Sequence, residues 1–534
     1  MQISGTSQLE VIYPICRTFL EPDVWNGLLK EFTPEKNVRY FEELIAYRIS
    51  EPGIPEFLPG LARLEYAIFE ASQQGKDLLP DVDRREINPS LSMIESTWKN
   101  FLLLTDSKGN LPNDSPERDE VRILVWCHPK SKTLQYRAAT DEDLLVLKII
   151  TEDIDLRIVA AEGNVLIIAI EDAIDRAIEN GLILEPSSLI RRERGKSKAW
   201  ESIDEQFIES SFFTIQWHIT QVCDMHCRHC YDRSDRSPLK LEQGIAILDD
   251  MEDFCASRHV RGQVSFSGGN PLLYPHFLDL YRAASERGFV TAILGNPATR
   301  EDLERMVEIQ RPSQYQVSLE GLEEYNNYIR GNGNYRNVMN FLPIIRDLGI
   351  NAQVMLTLTR DNIGQVLPLA EVLRNKADSF TFNRLSQVGE GSQLAIPSRD
   401  EYRDFLIEYV EASKTNPVMS LKDNLINIIL HKQGEELFGG CAGYGCSAAF
   451  NFIAILPDGE AHACRKFPSY IGNVYHQSIG EIYDSDAARR YRAGTAACKS
   501  CPIRPVCGGC LAVMYGQGLD IFEARDPHCF YNHF

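Results

Sequence analysis

The amino-acid sequence predicts an α/β chain: a parallel βα barrel or part of one, a cysteine-rich C-terminal domain, and a mostly helical N-terminal region. Three observations carry this. From residue 213 onward six short β-branched or aromatic runs alternate with helical patterns; eight of the 14 cysteines fall within the last hundred residues; and the first 210 residues show mainly helical periodicity.

Bulk properties set the frame. A chain of 534 residues with 44% hydrophobic content is long enough for roughly two to four domains. Its formal net charge of -21 argues against nucleic acid as a partner, because phosphate-backbone affinity needs clustered Lys and Arg. The opening "MQISGTSQLE" has no basic segment followed by an apolar one, and no apolar run approaches bilayer-spanning length. The expectation is a cytoplasmic protein with no membrane partner. In such a chain clustered cysteines point to metal binding or redox chemistry rather than disulfides. Cys16, Cys127 and Cys255 stand alone and read as ordinary buried thiols; the other eleven are grouped.

The strands in order are "FTIQWHIT" (213–220), "QVSFSGG" (263–269), "VTAILGN" (290–296), "QYQVSLE" (314–320), "NAQVMLTL" (351–358) and "SFTFNRL" (379–385). Helical stretches such as "YPHFLDLYRAASERG" and "YRNVMNFLPIIRDLG" lie between them, the second closing on a glycine suited to a C-cap. In such folds chemistry gathers at the C-terminal ends of the strands. The segment "CDMHCRHCY" (223–231) follows the first strand, which puts Cys223, Cys227 and Cys230 at that mouth. Three thiolates need a fourth ligand to make a structural zinc site, and His226 or His229 could supply one. The alternative is a four-iron, four-sulfur (4Fe-4S) cluster with three protein ligands and one open iron.

The spacing C-x3-C-x2-C after the first barrel strand resembles the radical SAM superfamily. That resemblance implies a partial (β/α)6 TIM-like barrel whose cluster, held by Cys223, Cys227 and Cys230, chelates S-adenosylmethionine and cleaves it to a 5'-deoxyadenosyl radical. "SGGNP" (267–271) resembles the superfamily's glycine-glycine-glutamate-proline stretch beside the methionyl amino group. By that match Gly268, Gly269, Asn270 and Pro271 are cofactor-binding, with the Asn270 amide oxygen replacing the usual carboxylate. "VSLEG" (317–321) and the following "IRGNGNYRNV" resemble the fourth-strand motif and its downstream arginine. Ser318 and Arg330 are then expected near the cosubstrate's ribose or carboxylate, and Glu320 stands in place of an aspartate. His229, between the second and third cysteines, takes the adenine-facing place, while Tyr231 reads as a packing residue.

The C-terminal cysteines are Cys441 and Cys446 in "CAGYGC", Cys464 separated by four residues from Gly459, Cys498, Cys501, Cys507 and Cys510 in "CKSCPIRPVCGGC", and Cys529. Alone, the run 498–510 also suits a zinc knuckle. Taken together the set resembles the SPASM domain appended to radical SAM enzymes that modify peptides, although the last pair is separated by two residues where three are common. The resemblance implies two more 4Fe-4S clusters, three in all. Cys441, Cys446, Cys464 and Cys510 would hold the inner one, and Cys498, Cys501, Cys507 and Cys529 the outer. With every iron ligated by protein, electron transfer is their expected role.

The N-terminal part divides into a helical region (1–119) and an element at 120–190. There the strand "RILVWCHP", two helices and a helix ending in "NGLIL" resemble the small winged-helix element that binds leader peptides; a helical packing domain with no ligand is the other reading. Leader addition at the edge offered by "RILVWCHP" would use backbone hydrogen bonds alone. The rest is expected as a charged linker (191–212), the barrel (213–398), bridging helices (399–435) and the SPASM domain (436–534). The expected function is maturation of a ribosomally made precursor peptide, with hydrogen abstraction leading to an oxidative modification such as a Cys thioether, and a flavodoxin or ferredoxin as reductant. The alternatives are a sulfatase-type formylglycine maturase and, from another class, a zinc-stabilised scaffold or iron-sulfur sensor.

Overall fold

The computed structural model describes residues 5–31, 40–75, 81–106, 116–193 and 203–532. The chain divides into two compact units, Met1–Ser187 and Ser188–Phe534.

In the first unit the helix Leu58–Gln74 buries Leu58, Leu61, Leu64 and Ala71 at helical spacing against Leu9, Trp25, Phe41 and Ile45. A second core, under Leu124 and Trp126, receives Val146, Ile149, Ile170 and Ile174 from helices Asp141–Glu152 and Ile167–Glu179. Strand β1 (Glu86–Ile87) pairs with β5 (Ile183–Leu184), and β2 (Ser92–Lys99), β3 (Glu117–Cys127) and β4 (Leu134–Ala138) form an antiparallel sheet in the order β2-β3-β4. Thr140 starts the helix after β4 with a capping box to Asp143, whose carboxylate also takes both terminal nitrogens of Arg137. Two expectations change here. Strand β2 lies inside the region expected to be helical, where Ile94 and Ser96 alternate with exposed neighbours; and "RILVWC" is the middle strand, so among the described residues the edge strands, unpaired on their outer side, are β2 and β4.

Glu65 is an acid in this first core, 3% exposed, with its carboxylate taking the backbone N–H groups of Ile15 and Cys16. Burial lifts its pKa from 4.5 to about 7, against those hydrogen bonds. A raised folded pKa favours the protonated fold. The contribution is therefore complete below about pH 4.5 and is lost as pH rises through about 7. Urea unfolding of this unit, read by hydrogen-exchange labelling at one fixed labelling pH, is expected to lose on the order of 3 kcal/mol between pH 5 and pH 8. Glu65→Gln should flatten that dependence; an unchanged slope would assign it to other groups.

The second unit contains the six expected strands: β6 (Phe212–Thr220), β7 (Arg261–Gly268), β8 (Val290–Leu294), β9 (Gln314–Ser318), β10 (Asn351–Leu358) and β11 (Ser379–Arg384). Each is parallel to the next, and helices such as Leu241–Arg258 and Asn334–Asp347 connect them. This is the α/β, partial barrel arrangement. The sheet then continues past β6: β12 (Phe452–Ile455) pairs parallel with β6, followed by the antiparallel β13 (Glu460–His462) and β14 (Tyr470–Asn473). The cysteine-rich lobe thus shares a sheet and a core with the barrel.

Of the expected linker, 194–202 lie outside the described residues. Its flanks belong to the second unit: Arg191 pairs with Glu205 and Glu209, and the buried Arg192 guanidinium donates to the carbonyls of Tyr444 (2.7 Å) and Cys446 (2.9 Å) over the ring of Phe450. No helix is long and apolar enough to cross a membrane, among the described residues.

Candidate active site and cysteine centres

The three-cysteine loop leaves the C-terminal end of β6 and is held from below by β7. Gly269 donates to the Thr220 carbonyl (2.9 Å) and Asn270 to that of Val222 (2.8 Å). A Cβ on Gly268 would stand 2.2 Å from the Thr220 oxygen, and one on Gly269 2.2 Å from that of Val222. Both glycines are therefore required by the backbone entering Cys223, and Gly268 also has a φ of +137°.

Asn270 was expected to turn its amide oxygen to the cosubstrate. That oxygen accepts from Leu272 N (3.3 Å), capping the short turn that begins at the buried Pro271, and the side-chain nitrogen donates to Asp224 (3.2 Å). Asn296, just beyond β8, donates to the same Asp224 oxygen (2.6 Å) and approaches Cys223 Sγ at 3.7 Å. The carboxylate at this end of the mouth is thus Asp224, on the cysteine loop itself and anchored by two buried amides.

On the other side, Glu320 is 1% exposed and both its oxygens are occupied: Oε1 by His229 Nε2 (2.9 Å) and Arg330 (2.6 and 2.8 Å), Oε2 by Thr357 N (2.7 Å). Burial alone would raise its pKa; His229 and Arg330 overcome that and hold it at about 2. Arg330 Nη1 also lies 3.8 Å from Cys227 Sγ. Glu320 therefore orients His229 and Arg330. Ser318 ends β9, half-buried.

Do these residues fit the cofactors that the cysteine pattern implies? Cys227 lies within electrostatic reach of Cys223 and Cys230, two of the three have an N–H aimed at sulfur, and Nδ1 of His229, next to Cys230 in the chain, is buried without a hydrogen-bond partner. An orphaned ring nitrogen next to three thiols fits a cosubstrate on an open iron.

The eight C-terminal cysteines separate into two groups. Cys446 lies within reach of Cys441 and Cys510, and Cys464 of Cys446 and Cys510. Cys507 lies within reach of Cys498, Cys501 and Cys529. This is the crossed grouping in which Cys510 leaves its neighbours in sequence for the inner set. Burial pushes the thiols of Cys446 and Cys464 up to about 11 and about 12, and that of Cys498 to about 11. Thiols in such surroundings give up their protons to a metal rather than to water. All four outer cysteines line one cavity of about 210 Å³. Among the described residues no three His, Cys, Asp or Glu side chains close on a point that would hold a single ion; a cluster, with an iron at each ligated corner, takes thiols set apart around it. Cys16, Cys127 and Cys255 are buried and stand apart from these groups.

Sequence reasoning passed over Asp224, Asn296, His218 and Arg465. His218 points inward from β6, and the Arg465 guanidinium, next to Cys464, reaches His218 Nε2 (3.0 Å), Asp232 (2.8 Å) and the ring of Tyr231 (4.4 Å). Tyr231 packs, as expected, but under an arginine from the other lobe. The available signal was the place of Asp224 and Arg465 each directly after a cysteine.

Residues 217–373 match the profile of the Radical SAM superfamily, and residues 446–510 that of the SPASM iron-sulfur cluster-binding domain. Among curated relatives, the AdoMet-dependent heme synthase of Nitratidesulfovibrio vulgaris is 27% identical over 346 residues, which is 59% of this chain and 92% of that protein. The mycofactocin maturase MftC of Mycobacterium ulcerans is 25% identical over 344 residues, 59% of this chain and 87% of that protein. Among solved structures, Streptococcus suis SuiB bound to precursor peptide SuiA superposes with a TM-score of 0.50 at 17% identity, covering 76% of this chain and 96% of that one, a likeness of fold.

Proposed function

We propose that this chain, a radical SAM enzyme with a SPASM domain, matures a ribosomally made precursor peptide by removing hydrogen from one of its carbons and leaving an oxidised linkage such as a Cys thioether. The observation that carries the reading is the pairing of the three-thiol mouth, with its orphaned His229 Nδ1, and two further groups of four thiols in the same unit. A separate unit carrying a β-sheet with open edges supports a peptide as the substrate.

When bound, the reduced cluster and S-adenosylmethionine supply a carbon radical that takes a hydrogen atom. The chain's own residues do the rest. Cys223, Cys227 and Cys230 would hold the first cluster; Arg330 and Asn296 aim N–H groups at Cys227 and Cys223 sulfur; Glu320 fixes the His229 ring, which would face the cosubstrate; Asp224 sets a carboxylate at the mouth. Cys441, Cys446, Cys464 and Cys510, then Cys498, Cys501, Cys507 and Cys529, would hold two clusters that carry electrons, refilled by a flavodoxin or ferredoxin.

The test is anaerobic. Reconstituted protein should hold about twelve irons per chain, three clusters of four, with negligible zinc. Given S-adenosylmethionine, reductant and the product of a short cysteine-bearing reading frame beside its gene, it should release 5'-deoxyadenosine and leave a peptide lighter by two hydrogens. Stoichiometric zinc with about four irons would overturn the two auxiliary clusters. The curated heme synthases favour a second reading, a porphyrin carboxylate as substrate. Incubation with an iron porphyrin instead of peptide separates the two, since only that reading predicts loss of carbon dioxide.

A further inference from the structure

A buried set of polar contacts joins the loop that ends at Cys230 to the loop that begins at Cys464. Tyr231 and Asp232 follow Cys230 directly; Arg465 follows Cys464 directly. The Arg465 guanidinium lies over the Tyr231 ring at 4.4 Å and donates to Asp232 at 2.8 Å. Arg465 is 8% exposed and His218, which takes its Nε at 3.0 Å, is 1% exposed. On the far side Arg236 reaches Asp232 at 3.5 Å and fixes Asp458 at 2.7 Å. Asp232 thus balances two guanidinium groups, and the assembly is tight and charge-compensated.

We propose that the Tyr231–Arg465 pair is the path by which one electron passes between the cluster site of Cys223, Cys227 and Cys230 and the inner site of Cys441, Cys446, Cys464 and Cys510. The path runs from Cys230 along one peptide unit and the Tyr231 side chain to its ring, across one gap of 4.4 Å to the guanidinium, and along the Arg465 side chain and one peptide unit to Cys464. Tunnelling through a protein is carried best by bonded atoms and penalised most at gaps, and this path has a single short one. The Tyr231 hydroxyl is also within electrostatic reach of both Cys230 and Cys464.

The step balances simply. One cluster is oxidised by one electron and the other reduced by one, no bond is made, no proton moves, and Tyr231 and Arg465 keep their oxidation states. The electron enters from the flavodoxin-class reductant or a chemical substitute. The inference rests on the proposed auxiliary-cluster reading and adds the route.

The experiment uses the full-length holoprotein with S-adenosylmethionine bound, flash-reduced by a photoexcited deazaflavin and freeze-quenched at intervals. Electron paramagnetic resonance then reads the arrival of the electron at the first cluster, identified by the shift of its signal with the cosubstrate. Tyr231→Leu and Arg465→Met are expected to slow that arrival severalfold at unchanged iron content and midpoint potentials. Tyr231→Phe, which keeps the ring and loses only the hydroxyl, should retain the parental rate. If a variant loses iron, Arg465→Lys keeps the charge beside Asp232 without the flat face over the ring, and the same slowing is expected of it. Arrival at the parental rate in Tyr231→Leu or in Arg465→Lys with full iron overturns the route. A parental iron count of about eight, with the inner site empty by Mössbauer spectroscopy, overturns the auxiliary-cluster reading itself and the route with it.

Discussion

Cys227→Ala is expected to abolish 5'-deoxyadenosine formation, while Cys501→Ala leaves it intact and lowers only the modified peptide. The two cysteines differ in what surrounds them. Cys227 stands in the three-thiol mouth, receives Arg330 Nη1 at 3.8 Å, and lies beside the Arg330–Glu320–His229 assembly. On the proposed assignment alanine there removes one of only three ligands, so the cluster should go, with total iron falling from about twelve to about eight per chain. Cys501 lines the outer cavity with Cys498, Cys507 and Cys529, apart from the three-thiol mouth and its Arg330–Glu320–His229 assembly. Its loss should take about four irons as well, so the two variants match in metal content and differ in chemistry. Chromatographic assay of 5'-deoxyadenosine beside mass spectrometry of the peptide gives the comparison. A Cys501→Ala protein that has lost its outer cluster yet forms product at the parental rate would remove the electron-carrying role from that site.

The barrel was legible because two signals coincided. The six parallel strands, buried among helices, read as short β-branched runs, and the helices between them show three- and four-residue spacing. The cysteine groups were legible through spacing and family resemblance together. What the sequence could not disclose was which polar groups turn inward to serve the cysteines. Asn270 and Glu320 sit in motifs, but their protein partners could not be read there: Asp224 and Leu272 for Asn270, and His229, Arg330 and Thr357 for Glu320. Arg465 is 247 positions from His218 and 233 from Asp232 in the chain, and no local pattern announces contacts at that separation. The pairing of β12 with β6 was hidden for the same reason: a four-residue strand has too little periodicity to be seen, and its partner lies more than 230 residues away. The middle place of β3 likewise depended on recognising β2, where Ser92–Lys99 mixes polar and apolar residues in a stretch that reads equally as helix.

Removing residues 1–187 is expected to leave cosubstrate cleavage and strongly weaken modification of full-length precursor. The cut follows the division between the units, and Ser188–Phe534 keeps its own core, from Ile190 through Trp217 to Phe530, so the remaining unit has what it needs to fold. The finer test concerns how the leader is held. In the β3–β4 ladder Ala139 N donates to Arg122 O at 2.8 Å and His128 N to Thr133 O at 2.8 Å. Alternation then turns the N–H groups of Gln135 and Arg137 toward β3 and that of Ala138 toward the open edge. Proline at the exposed Ala138 deletes an outward donor and spares the ladder, a substitution that edge strands accept. A peptide adding as a fourth strand loses one backbone hydrogen bond, worth about 1 kcal/mol, and pays further for the ring's intrusion, so leader affinity by fluorescence anisotropy should fall about tenfold. Cosubstrate cleavage without peptide should be unchanged, since the mouth lies wholly in the other unit. If Ala138→Pro binds leader like the parent while the truncated chain does not, the leader takes another surface of the first unit, such as the edge of β2. If the truncated chain itself binds and modifies precursor at the parental level, the first unit is a packing domain, and selection of the peptide falls to the barrel mouth alone.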